Sequence, residues 1–174
     1  TYDGTCPMIS ISSNEISIGT ATNDKTIDLI FTSSESVNSF NENDLILSNG
    51  AIDSLLKIND TLYTVTFTTA SEGLSSLNIL SEAFSDLYGN VNSEGVTFNW
   101  LHDETGPDMA ITSTTLSKNS TTNDTSIAIR FVSSEATRDF TIEDITPNNG
   151  VLDSFDAIND TLYSCIFSPS NDGE

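Results

Sequence analysis

Oxygen-bearing side chains dominate the residues of this sequence that could do chemistry, and their spacing points to a hard cation. The stretch Asp86-Leu-Tyr-Gly-Asn90 sets a carboxylate and an amide four positions apart across a glycine. Asp103 and Glu104 stand side by side in the polar stretch after Trp100, and Asp3 lies near the start. Calcium takes six to eight oxygen ligands, several of them carboxylates, so Asp86, Asn90, Asp103, Glu104 and Asp3 make up the candidate calcium set. The same residues admit a plainer reading. Asp and Asn around a glycine close turns, with Gly89 taking positive φ, and linker acids are simply hydrated. Glu35 and Glu135 each end an apolar-alternating stretch, where a carboxylate is either a metal ligand or, more simply, an acceptor of loop backbone N–H groups. Asp24 and Asp124, in matching Thr-Asn-Asp loops, are further candidates of lower rank.

Catalysis has little to work with. His102 is the single histidine, it is read as linker, and no motif sets a base beside a Ser or Cys nucleophile. The glycines stand at turns and form no phosphate-binding loop. The two cysteines, Cys6 and Cys165, are not an antibody-type pair, because the stretch 127–131 that would have to partner Cys165 contains no Cys. Cys165 reads as a small core residue; the open alternative is that each thiol bonds to another unit or another chain. Asn59, Asn119, Asn123 and Asn159 begin Asn-x-Ser/Thr sequons, acceptors for N-glycans in a secretory pathway that makes them. Chance supplies several sequons in a chain so rich in Ser and Thr, although Asn59 and Asn159 occupy the same turn in two related stretches.

The charge balance narrows the partners. A formal net charge of -21 from 26 acidic and 5 basic residues argues against nucleic acid and anionic membrane surfaces and in favour of cations. Only 18% of residues are charged, the remaining polarity being largely Ser, Thr and Asn. That is a β-rich, extracellular-looking composition. No apolar run approaches the ~18 residues that would insert into a bilayer. The opening at Thr1, without Met or leader, is expected of a segment taken from something longer.

The elements that position these side chains come twice. Displaced by 100 positions, the sequence aligns with itself without a gap, and roughly 28 of 74 pairs are identical. Thr22-Asn-Asp24 recurs at Thr122-Asn-Asp124, Ser33-Ser-Glu35 at Ser133-Ser-Glu135, and Ile58 to Tyr63 at Ile158 to Tyr163. The duplication places a complete unit at 1–102 and a second at 103–174 that lacks the counterpart of Ser75 to Trp100. Those strands are expected either from a longer array or, less simply, from another chain by strand donation.

Within one unit, short apolar-alternating runs begin at Met8, Thr26, Leu45, Ala51, Leu62, Ser76 and Gly95. Seven strands in about 100 residues predict an immunoglobulin-like β-sandwich. Alternation puts Ile27, Leu29 and Phe31 on one inward face, Tyr63, Val65 and Phe67 on another, and Phe98 with Trp100 on a third. Asn49-Gly50 and Asn149-Gly150 are read as two-residue hairpins with positive φ at both positions. Phe40 and Phe140 are read as tucked under a short turn that crosses between sheets. No stretch offers a crossover helix, so an extended parallel sheet is not expected.

These motifs, in this order, resemble the bacterial immunoglobulin-like repeats of large secreted adhesins. The resemblance rests on "TCP" at Thr5, "FTSSE" at Phe31, "NG" at Asn49, "LYTVTF" at Leu62, "SEG" at Ser71, "DLYGN" at Asp86 and "DETGP" at Asp103. It implies an all-β tandem array that acts as an extracellular or cell-surface spacer, often stiffened by calcium near domain junctions, with no active site. Its partners would be neighbouring repeats. The alternatives are a building block of an extracellular filament, in which copies of the chain pack or share strands, and a carbohydrate-binding or accessory module of a secreted enzyme. The last requires an exposed aromatic platform, for which Tyr2, Tyr88 and Trp100 are the candidates.

Overall fold

A computed structural model describes residues 2–171, and these are all-β, with thirteen strands and two single 3-10 turns. They divide into two compact units, Thr1–Glu104 and Thr105–Glu174.

Unit 1 is a sandwich of two sheets. One sheet is built from β1 (Ile9–Ser12), β3 (Thr26–Ser33) and β7 (Leu62–Thr69), with β5 (Gly50–Ile52) and β6 (Leu56–Lys57) both along the outer side of β7. The other runs β2 (Ala21–Thr22), β9 (Val96–His102), β8 (Gly73–Ile79) and β4 (Leu45–Ser48). The alternation of the sequence carries through to the register. Ile27 lies opposite Phe67, Leu29 opposite Val65 and Phe31 opposite Tyr63, and all six are buried, as are Phe98 and Trp100 on the facing sheet. Each such side chain removed from water contributes about 1.5–3 kcal/mol, and the edge of Trp100 meets Phe67 at 4.7 Å between ring centroids, bridging the two layers. Phe40, held below the 3-10 turn Glu42–Asp44, packs on Phe31, Tyr63 and Phe84 at 5.6, 5.1 and 5.3 Å.

Three local expectations change. Asn49-Gly50 is not a hairpin: β4 pairs with β8 and β5 with β7, so this dipeptide carries the chain from one sheet to the other. Only Asn49 takes positive φ, at 58°. Gly50 is required by packing, since a Cβ there would collide with the ring of Phe67 and lie 2.5 Å from the carbonyl oxygen of Thr68. The run from Ala51 breaks into β5 and β6 because Asp53 N–H turns to the carbonyl of Thr66 and Leu55 N–H to Oε1 of Glu42. Lastly, β2 was not anticipated, and it pairs with β9 in parallel over two residues.

Unit 2 forms one four-stranded sheet among the described residues, in the order β10 (Met109–Ser113), β11 (Ile127–Ser133), β13 (Leu162–Pro169) and β12 (Gly150–Asn159). The counterpart of β5 and β6 is here a single strand with a bulge between Asp153 and Asp156, where Ser154 has φ 53°. Phe131, Tyr163 and Cys165 are buried, covered by Phe140 and Phe155. Ile127, Ile129 and Phe167 are only half-buried, whereas their counterparts Ile27, Leu29 and Phe67 are fully enclosed. The second sheet accounts for the difference.

Candidate metal centre

The loop from Leu80 to Gly95, which joins β8 to β9, is folded around one side chain. Asn92 is fully buried; its Oδ1 accepts from the N–H groups of Ala83 and Phe84, and its Nδ2 donates to the carbonyls of Leu80 and Glu94, at 2.7 to 3.0 Å. Phe84 anchors the same loop in the core. Single backbone bridges, Val37 to Asp86 and Ser85 to Val91, then hold the DLYGN stretch against the sandwich.

Asp86 closes a turn, and it does more than that. Its Oδ1 accepts from the N–H groups of Tyr88 and Asn90, both at 2.8 Å, and its Oδ2 accepts from Nδ2 of Asn90 at 2.8 Å. Gly89 takes φ 92°, as the turn requires. Asp86 as a whole is only 2% exposed. One oxygen each of Asp3, Glu35 and Asp86 lie within 4.8 Å of one another. Oε1 of Glu35 is enclosed and has no hydrogen-bond partner. Asp3 is fixed from both sides, because its Oδ1 accepts from Thr5 N–H at 3.0 Å and its carbonyl from Nδ2 of Asn90 at 3.4 Å. Asn90 thus ties the carboxylate of Asp86 to the backbone of Asp3 through its amide nitrogen.

The electrostatics follow from this packing. Burial, and then the negative charges of Asp3 and Asp86, push the Glu35 carboxyl above its ordinary value. Burial works in the same direction on Asp86, but the side-chain and backbone hydrogen bonds from Asn90, with those from Tyr88 and Gly89, outweigh it and leave Asp86 below its ordinary value. Asp86 is thus held as an anion by its donors, whereas the enclosed oxygen of Glu35 has no hydrogen-bond partner among the described residues.

The remaining candidates are placed elsewhere. β8 runs toward the Asp86 loop and β9 runs away from it, so Asp103 and Glu104, which follow β9, lie at the opposite end of the sandwich. The seven residues of β9 set about 23 Å between the two ends. There Asp103 N–H donates to Thr22, Glu104 N–H donates to Oε1 of Glu72 at 2.8 Å, and Oε1 of Glu104 meets Nε2 of His102 at 3.2 Å. His102 is the last residue of β9 and buried, not part of a linker. Asp24 and Asp124 accept from the hydroxyls of Thr22 and Thr122 in small exposed turns. The simpler reading of Glu35, as an acceptor of backbone bonds, does not hold for its enclosed oxygen.

Asn59, Asn119, Asn123 and Asn159 are all exposed, and Asn59 and Asn159 each accept from the N–H and hydroxyl of the Thr two residues on. Cys6 is exposed and Cys165 buried, both as free thiols, and burial, then Asp153, pushes the Cys165 thiol up. Trp100 is fully enclosed and offers no platform to a sugar, while Tyr2 and Tyr88 are exposed. The sequence offers Glu35 as a metal ligand only behind its simpler reading, on the recurrence of Ser-Ser-Glu at a strand end in both units; the part of Asn92, a single Asn among many, it conceals.

No helix among the described residues is long and apolar enough to cross a membrane. No curated protein matches the chain. The family model described as bacterial Ig-like domain matches it twice, over residues 3–100 and 103–174, which agrees with the hundred-residue repeat and with the two-sheet architecture of unit 1. The chain therefore belongs to the family of bacterial Ig-like domains, structural modules typical of extracellular and surface-associated proteins.

Proposed function

We propose that this chain is a stretch of a tandem Ig-like spacer in a secreted or surface-anchored adhesin-like protein, and that unit 1 binds one calcium ion through Asp3, Glu35 and Asp86. The observation that carries the calcium reading is the convergence of three carboxylate oxygens within 4.8 Å, one of them enclosed and unbonded. Calcium bonds oxygen at 2.3–2.6 Å, so ligands on opposite sides of the ion stand about 5 Å apart, and the cluster fits this span without rearrangement. All three groups are hard oxygen donors, as calcium prefers, and water completes the six to eight positions. Because Asp3 lies on the segment that leads into the sandwich and the other two lie on the sandwich, the ion would tie that segment to the body of unit 1. Neighbouring repeats of the same array are the partners this arrangement suits.

Thermal melting of the chain in EDTA and in calcium tests the reading. Calcium at about 100 times its dissociation constant adds about 2.7 kcal/mol, a rise of roughly 10–20 °C for a unit of this size. Magnesium at the same ionic strength is the control. An unchanged melting temperature removes calcium from the function.

The exposed thiol of Cys6 favours a second reading, in which the chain is the building block of an extracellular filament joined through a disulfide between copies. A covalent dimer on non-reducing gels of the oxidised protein, lost in Cys6→Ser, is its expected signature.

A further inference from the structure

We propose that unit 1 carries a socket for one aromatic side chain of a protein partner rich in Lys and Arg, set between the 3-10 turn Glu42–Asp44 and the strands β6 and β7. A cleft of about 380 Å³ opens there. That is within the ~300–1,000 Å³ of ordinary ligand sites and more than the ~150 Å³ that already accepts a benzene ring. Its floor is apolar, formed by Leu55 with Phe40 and Tyr63, of which the last two are buried. Its rim is polar, with Asn41, Glu42 and Asn43 on one side and Lys57 on the other.

The second unit shows what such a cleft holds. In the hundred-residue repeat Phe40 and Tyr63 recur as Phe140 and Tyr163, but Leu55 is aligned with Phe155, Lys57 with Ala157 and Glu42 with Ile142. The ring of Phe155 lies nearly parallel to that of Tyr163, at 21° with centroids 6.0 Å apart, and 5.8 Å from Phe140. Unit 1 keeps the two receiving rings in the same relation, Phe40 to Tyr63 at 5.1 Å against Phe140 to Tyr163 at 5.0 Å, and lacks the third. Its Leu55 is held to the turn instead, the N–H donating to Oε1 of Glu42 at 2.8 Å. What stands over Tyr63 is Nζ of Lys57, 5.9 Å from the ring centroid. The pairing of Lys57 with Asp60 at 2.8 Å is exposed and worth little, so this side chain yields to an entering ring.

The surroundings select the occupant. Two receiving rings favour a third, because contacts between aromatic rings add to what burial alone gives. The change from Ile142 and Ala157 to Glu42 and Lys57 makes the rim polar, which suits a ring that carries a hydroxyl, as a tyrosyl side chain does. Charge then selects the chain that bears it. Glu42, Asp44 and Asp60 stand against the single Lys57 in a molecule of net charge -21, so a cationic segment is steered here and an acidic one repelled. A second copy of this chain is a poor occupant for that reason. The socket goes beyond the calcium and spacer readings and draws on neither.

Titration of the isotope-labelled full chain with acetyl-Lys-Lys-Tyr-Lys-Lys-amide, followed by NMR at about 0.01 M salt, tests the proposal. Amide shifts should gather at Asn41 to Asn43, Leu55 and Lys57, alike in EDTA and in calcium, so that failure of the calcium reading leaves the socket standing. The peptide with Leu in place of Tyr, equal in charge, should bind roughly tenfold more weakly, and acetyl-Gly-Gly-Tyr-Gly-Gly-amide more weakly as well. Leu55→Phe fills the cleft from within, as Phe155 does in unit 2, and should lose the tyrosyl peptide while its melting temperature holds or rises. Lys57→Ala, at an exposed position, should tighten binding about two- to fivefold by removing a like charge and uncovering Tyr63; it decides the matter alone if Leu55→Phe does not fold. Equal affinity for the Tyr and Leu peptides, full binding by a folded Leu55→Phe, binding unmoved or weakened in Lys57→Ala, or shifts confined to Asp3, Glu35 and Asp86 would overturn the socket.

Discussion

At the scale of single residues, the acid cluster makes opposite demands with and without a cation. In the calcium-free protein Glu35 binds its proton more tightly when folded, because its value is raised above the ordinary 4.5 by burial and then by Asp3 and Asp86. Its contribution to stability is therefore fully present below 4.5 and lost as pH rises through the raised value. Asp86 does the reverse, contributing above its ordinary 3.8 and losing that contribution as pH falls through its lowered folded value. In EDTA, unit 1 should therefore gain stability from Glu35 on going from pH 7 to 4.5, and Glu35→Gln should flatten this slope in melting curves. At pH 7 the same substitution should raise the melting temperature in EDTA and abolish the rise caused by calcium. Asp86→Asn should abolish that rise too, but without the gain in EDTA, since it breaks a turn that the anion holds together. Glu35→Gln melting lower than the parent in EDTA would count against an unneutralised charge at that position. The sequence named Asp3 and Asp86 for this chemistry but joined them to Asp103 and Glu104, because adjacency in a repeated linker motif carries no information on which end of a sandwich a loop occupies. Strand direction does, and it needs the pairing of β8 with β9.

At the scale of elements, two features that look like ordinary turns set the geometry. The loop before β9 is organised by Asn92, whose four hydrogen bonds replace those that a regular strand pair would make. Asn92→Ala leaves buried donors and acceptors unpaired, each costing about 1–3 kcal/mol. It should lower the denaturation midpoint of unit 1 strongly and weaken calcium binding together with it, as measured by chemical denaturation and calorimetric titration. Gly50 stands where β4 passes into β5 against the ring of Phe67, and Gly50→Ala should cost about 1–3 kcal/mol through overpacking, where a Gly needed only for its turn would cost less. Asn-Gly predicts a hairpin because flanking strands are usually neighbours in one sheet. Strand alternation, by contrast, was legible almost residue by residue: Ile27, Leu29, Phe31, Tyr63, Val65, Phe67, Phe98 and Trp100 are all inward and buried, since a period of two admits only two faces and only one of them is apolar. β2 was beyond reach for the opposite reason, as two residues show no period.

At the scale of the whole molecule, a net charge of -21 works against compactness in both units. Screening lengths fall to about 10 Å at 0.1 M salt, so sodium chloride raised from low millimolar levels to that concentration should stabilise both units, and a calcium effect on unit 1 should remain at matched ionic strength. The units should also part on heating. Unit 1 encloses its core between two sheets, whereas the described part of unit 2 is one sheet with Ile127, Ile129 and Phe167 half-buried, so calorimetry should show two transitions with unit 2 the earlier. A single transition would mean that the uncovered sheet costs unit 2 nothing. Trp100 lets the two be told apart by light. It is the sole tryptophan of the chain and lies wholly inside unit 1, so indole emission follows that unit while unit 2 stays dark. The red shift on exposure of this one ring dates the loss of the first sandwich, and circular dichroism, which sees every strand, dates the sum.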